Sequence, residues 1–129
     1  EVIIPESVVE YNYAPFMGCH GLKKIEVNEN NPIYDSRKNC NAVIHTQSNT
    51  LIEGCASTKI PDGIRKIESS SFSCCNTLTS ILIPNSVTEI GAVAFYNCPN
   101  LSIIYVDALK KDFYISLLPS ELHDKIIAL

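Results

Sequence analysis

Three things are missing from this chain of 129 residues, and each absence removes a class of function. The first is a long apolar run: the longest stretches are a few residues, whereas a bilayer-spanning helix needs about 20. The second is a basic cluster. The net charge is −4, and eight of the 10 basic residues come as scattered pairs, Lys23-Lys24, Arg37-Lys38, Arg65-Lys66 and Lys110-Lys111, with Lys59 and Lys125 single. Nucleic acid and anionic membrane both select clustered Lys and Arg, so neither partner is expected. The third is any catalytic or metal-binding spacing. There is no Gly-x-Ser-x-Gly, His-Glu-x-x-His, phosphate loop, Cys-x-x-Cys or His-x-x-x-His. A thiol protease needs an exposed, activated Cys beside a His, and Cys19-His20 are adjacent only in sequence, with side chains expected to diverge. His45 and His123 stand elsewhere, in an expected strand and in the tail. No enzymatic activity and no cofactor are expected.

What is present is a chain with a 46% hydrophobic share, expected to form one soluble domain. Its start, Glu1-Val2-Ile3-Ile4, has no charged n-region before an apolar core, so no export signal is legible there.

Three stretches superimpose at one spacing: Ile4-Pro5 to Val27, Ile60-Pro61 to Ile83, and Ile83-Pro84 to Val106. In each, a Phe follows the Pro at a constant offset (Pro5 to Phe16, Pro61 to Phe72, Pro84 to Phe95). A Cys (Cys19, Cys75, Cys98) and a Leu (Leu22, Leu78, Leu101) then follow the Phe, again at constant offsets. Ile25-x-Val27, Ile81-x-Ile83 and Ile104-x-Val106 close the units. Pro61 and Pro84 are 23 residues apart, and a period of roughly 20–29 with a Leu-x-x-Ile-x-Val ending signals a leucine-rich-repeat solenoid. Pro-Asn-Ser after Ile83 is turn chemistry, and Val87-x-x-Ile90 supplies inward positions on the next side of the coil, as do Ile64/Ile67 and Val8/Tyr11. The segment around each Phe is expected to be irregular or a single turn, with the Phe plugging the interior. The closing alternation is expected to form short strands, stacked as a parallel sheet.

The pattern Ile-Pro-x-x-Val-x-x-Ile-Gly-x-x-Ala-Phe-x-x-Cys-x-x-Leu-x-x-Ile is met nearly in full by residues 83–104, and this unit resembles the BspA-like leucine-rich repeat. Residues 60–81 depart at two points, at the Gly position after Ile67 and at Ser71 for the Ala before Phe72, and the first unit at Asn12 and Pro15. Asn30 to Ser36, with Asn41 to Ile44 and Asn49 to Ile52, is similar to the longer unit such proteins interpose between standard repeats. The resemblance implies a right-handed superhelix in an exported or surface-attached bacterial protein, active in adhesion through protein or glycan on host or neighbouring cells.

The expected organisation is a single domain over residues 1–129. Residues 1–4 close a preceding repeat, which makes the chain a segment of a longer array. Residues 4–27, 60–83 and 83–106 are standard repeats, 28–59 an enlarged coil, and 107–129 a short helical C-terminal cap. Pro5 and Pro61 lie more than two periods apart, which leaves room beyond one standard unit for the enlarged coil. There Ala42 to Thr46 and Thr50 to Glu53 flank Gln47-Ser48-Asn49, which reads as a β-hairpin that projects from or widens the sheet. In the tail, Leu109, Phe113 and Leu117 recur at four-residue steps and Ser120 follows Pro119. That predicts two short helices, or one broken before Pro119, covering the open end.

Cys19, Cys75 and Cys98 occupy one slot of successive units, so packing accounts for them and free thiols are expected. Cys40 and Cys55 flank the hairpin almost opposite each other, which leaves a disulfide between them open. The outward positions of the closing strands are Lys24 and Glu26, then Ser80 and Leu82, then Ile103 and Tyr105. These six are the candidate partner-binding residues. Leu82, Ile103 and Tyr105 form an apolar strip that either contacts a partner or is covered by the cap or a following segment. Two functions compete: an interaction module using this face, and an architectural stalk that carries another domain.

Overall fold

The computed structural model describes residues 1–11 and 21–129, so Phe16, Cys19 and His20, with Asn12 and Pro15, lie outside the described residues. The strands are β1 (Val2–Ile4), β2 (Ile25–Val27), β3 (Tyr34–Asp35), β4 (Ala42–His45), β5 (Thr50–Gly54), β6 (Lys66–Ile67), β7 (Ser80–Leu82), β8 (Glu89–Ile90), β9 (Ile103–Val106) and β10 (Ile126–Ala128). One α-helix, α1 (Lys111–Leu117), lies between 3-10 turns at Ala108–Lys110 and Ser120–Lys125.

The period of the sequence appears as sheet register. Val2 pairs with Ile25, Lys66 with Glu89 and Ser80 with Ile103, each parallel and each one full period along the chain. Each coil therefore lays its strands on those of the next, and the alternating Ile and Val side chains turn inward. Ile64, Ile67, Leu78, Val87 and Ile104 have no exposed surface. Phe72 and Phe95 stack in the same core, ring centroids 5.3 Å apart and planes within 13°. The segments carrying them are turns without regular helix, tied coil to coil by Phe72 N–H to Ala94 O at 2.9 Å and Cys74 N–H to Tyr96 O at 2.8 Å. Gly91 sits at a close approach of two coils: a Cβ there would fall on the main chain and hydroxyl of Ser69.

The enlarged coil splits the structure. β4 and β5 form the hairpin, with loop residues 46–49, and β3 adds antiparallel to β4. β5 then joins β6 in parallel, making the sheet β3-β4-β5-β6-β8. The hairpin thus widens this sheet. Both of its faces are buried: Ala42 and Ile44 belong to the main core, and Val43 to a second one with Ile4, Leu22, Ile25, Val27 and Tyr34. It is a wall between two cores. Cys40 lies on the main-core side and Cys55 on the other, and both are free thiols. Ala42 pairs with Gly54, which sets Asn41, and not Cys40, across from Cys55. The two thiols therefore face opposite sides of the wall.

The tail departs from expectation in two ways. Its chain does break before Pro119, but Leu109 is 96% exposed and Phe113 39%, while the buried row is Tyr114, Leu118 and Leu122, one residue along. The reason is polar as well as apolar: the Tyr114 hydroxyl lies within hydrogen-bonding reach of Pro84 O (2.9 Å) and Val87 O (2.8 Å), two turn carbonyls that face the core. The tail also ends in a strand. β10 pairs parallel with β9, Ile126 beside Ile104, so residues 107–128 make one more coil of the stack instead of a helical lid.

Candidate functional site

The outward residues of a short parallel strand follow from its pleat: in β7, Ser80 and Leu82 point out while Ile81 is buried. Register then builds a surface. Leu82 pairs with Tyr105 and Tyr105 with Ile127, so three large side chains stand in one row across β7, β9 and β10, roughly 4.8 Å apart. Leu82 is 48% and Ile127 43% exposed, and Tyr105 is half-buried between them. Ser80 and the half-buried Ile103 form a second row beside it. The tail does not cover this face, because its last strand joins the sheet edge and adds Ile127 to the strip.

Lys24 and Glu26 are exposed but elsewhere. They lie on β2 and just before it, in the separate two-stranded sheet β1-β2, beyond the hairpin wall. Lys24 Nζ is 3.5 Å from Glu26 and 3.8 Å from Glu1, exposed pairs worth little to stability. The six predicted residues thus fall on two surfaces, four on one sheet and two on the other.

Two further surfaces are closed by their own bonds. On β6 and β8 the outward Lys66 pairs with Glu89 at 3.2 Å and Glu68 at 3.6 Å. Near the hairpin tip, a groove of about 820 Å³ is lined by Glu26, Asn28, Asp35, Arg37 and Thr46, among others. There Arg37 grips both oxygens of Asp35 at 2.7 Å, Thr46 Oγ1 donates to Asp35 at 2.7 Å, and Arg37 Nη1 donates to Asn49 at 2.7 Å. Burial alone would raise the Asp35 pKa, but the hydrogen bonds from Arg37 and Thr46 outweigh it and hold the carboxyl below its ordinary value. The cluster fastens the hairpin tip to β3.

The described nucleophiles are arranged for packing. Burial pushes the Cys40 thiol up to about 11 and raises Cys75 and Cys98, the opposite of what a thiolate nucleophile requires. Cys98 Sγ donates to Phe72 O of the preceding coil at 3.0 Å. His123 Nε2 is 2.8 Å from Leu118 O, and His45 Nδ1 is 2.7 Å from Ser48 Oγ. Among the described residues no group of three His, Cys, Asp or Glu side chains is placed to hold a metal ion.

Two parts of the outward face are absent from the sequence-based candidates. One is Ile127, signalled by Ile126-Ile127-Ala128 one coil after Ile104. The other is Ser57-Thr58-Lys59-Ile60, which stands one period before Ser80-Ile81-Leu82-Ile83 and repeats its pattern of exposed and buried positions. Between this segment and β7 runs an open groove of about 710 Å³, with Leu82 and Tyr105 in its lining.

Comparison with known proteins places this architecture. The family model of the BspA type leucine-rich repeat region matches residues 46–116 in 6 copies. A leucine-rich cell surface protein from Faecalibacterium prausnitzii A2-165 is similar over 80% of this chain, with a TM-score of 0.64 and 30% identity. A leucine-rich repeat protein from Eubacterium ventriosum (TM-score 0.57, 22% identity, 82% of this chain) and the pneumococcal vaccine antigen PcpA (0.62, 21%, 79%) share the fold. This chain spans 28%, 36% and 26% of those three structures. No curated protein matches it. With the family model covering more than half its length and the repeat period written into its sheet register, the chain belongs to the BspA-type leucine-rich-repeat family.

Proposed function

We propose that this chain is a non-enzymatic interaction module, one stretch of a right-handed leucine-rich-repeat superhelix, that presents the outward face of β7, β9 and β10 to a protein or glycan. The observation that carries the reading is the row Leu82, Tyr105 and Ile127, apolar and uncovered by the rest of the described chain. The other outward sheet face spends its charges on one another, through Lys66, Glu68 and Glu89. Aromatic residues are the commoner anchors of interfaces, so Tyr105 is the first choice for the centre. The similar cell surface protein supports a setting on a cell surface or in a secreted protein; adhesion is the purpose proposed here for the exposed apolar row. Arrays of host-matrix proteins and glycans probed with this chain test the proposal. Capture by at least one class is expected; silence across all of them favours the architectural stalk.

A further inference from the structure

A parallel strand shares its main-chain bonds between two sides, and in β7 one side is accounted for. Ile103 N–H donates to Thr79 O at 3.4 Å and Ile83 N–H to Tyr105 O at 2.9 Å, so Thr79, Ile81 and Ile83 face β9. The N–H and C=O groups of Ser80 and Leu82 therefore point the other way, and β7 is the edge of its sheet. Within the described residues, no hydrogen bond of the protein meets them.

In a regular stack the preceding coil would fill that edge, and here residues 57–60 stand in its register. They are held away by the enlarged coil: Lys59 N–H donates to Cys40 O at 3.1 Å and Thr58 Oγ1 to Asn41 O at 2.6 Å. Thr58 occupies the inward position that Ile81 and Ile104 hold later, and its hydroxyl also accepts from Cys55 N–H at 2.8 Å. The polar substitution turns this segment toward the hairpin and opens the groove beside β7.

We infer that this groove takes an extended polypeptide segment, which pairs as a strand with the open edge of β7 and sets apolar side chains against Leu82 and Tyr105. The inference deepens the outward-face reading and rests on it. The open edge presents donors and acceptors alternately over about 10 Å, the spacing of a peptide main chain and not of a sugar ring. Lys59 adds charge selection. It is the one charged side chain among the described residues lining the groove, and no carboxylate lies within salt-bridge distance of it there. The favoured segment alternates apolar residues and carries an acidic one.

The test uses acetylated, amidated hexapeptides in which Val alternates with Thr, with one Val, on the face that meets Leu82 and Lys59, replaced in turn by Glu or Lys. Each is titrated to millimolar concentration into the 15N-labelled chain. The Ser80 and Leu82 amide signals are expected to shift, with Glu peptides bound more tightly than Lys peptides and the order reversed in Lys59→Glu. Two backbone N-methylated series, on alternate amides, then separate pairing from simple apolar contact. One series should lose affinity at least about tenfold relative to the other, the size of one or two lost hydrogen bonds. Equal affinity of the two series, or Ser80 and Leu82 amides unmoved by every peptide, overturns the inference. So does an oligosaccharide that shifts Tyr105 when no peptide shifts Ser80, which assigns the face to sugar. Array capture with silent peptides removes the strand pairing alone, whereas silence in both removes the outward-face reading with it.

Discussion

Replacing Phe95 by Ala removes a ring that is 5% exposed and stacked on Phe72 at 5.3 Å. Aromatic truncation in a packed core costs about 3–5 kcal/mol, the lost transfer energy plus the cavity left behind. A domain of this size has a total stability of about 5–15 kcal/mol, so one substitution removes roughly a fifth or more of it. The thermal midpoint should fall by roughly 10–25 °C, followed by circular dichroism, with a matching drop in urea midpoint. A double-mutant cycle with Phe72→Ala isolates the stack and should return a coupling of about 0.5–1.5 kcal/mol, because the two rings share one cavity. An unchanged midpoint for Phe95→Ala would refute the repeat register. Full additivity of the pair would refute the stacking of successive coils through their Phe slot.

Three other outcomes follow from packing and charge. Gly91→Ala drives a Cβ into the main chain of Ser69 and should cost about 1–3 kcal/mol, while Gly21→Ala, with nothing within 4 Å, should stay within about 0.5 kcal/mol. Equal denaturation midpoints for the two variants would contradict the close approach of the coils. Thiol titration under denaturing, non-reducing conditions should find most of the six cysteines free, and fewer than three would refute the packing account; in the native state Cys40 should be alkylated more slowly than Cys74, which is partly exposed. Asp35 has its folded-state pKa below the ordinary 3.8, so its contribution is complete above that value and lost as the pH falls through the lowered one. Asp35→Asn should therefore cost roughly 1–2 kcal/mol at neutral pH and lose less than wild type on acidification, and parallel acid limbs in urea titrations would rule this out.

The repeat core is legible in the chain because the period dictates which residues turn inward. Ile81 and Ile104, Val87 and Ile90, and Phe72 and Phe95 all face the interior for that reason, and the outward Ser80, Leu82, Ile103 and Tyr105 follow by alternation. The hairpin was legible from its two β-rich runs and polar turn; β3 was not, since two residues carry no pattern. The tail misled for a definite reason. Leu101 to Ile104 is a step of three and Leu122 to Ile126 a step of four, and β10 pairs with β9 one position short of the period, so comparison at a fixed period passes over the last coil. Its buried face turned on the Tyr114 hydroxyl, whose partners at Pro84 and Val87 are set by the fold and not by local spacing. Lys24 and Glu26 separated from the other four candidates because the enlarged coil interrupts the sheet, a consequence that spacing alone does not express. The groove beside β7 did leave a trace, in Thr58 at an inward position where the later coils carry Ile.

The outward face of β7, β9 and β10 is most directly tested by Leu82→Glu combined with Tyr105→Glu, with partner capture and unfolding measured on the same preparation. Both side chains face outward at a sheet surface, where substitutions usually shift stability by less than about 0.5 kcal/mol each. Lost capture with the cooperative unfolding transition retained is the expected result. A variant that loses that transition would show these residues to be core, and a well-folded variant with undiminished capture would move the site away from this face, toward the hairpin around His45 and Thr46.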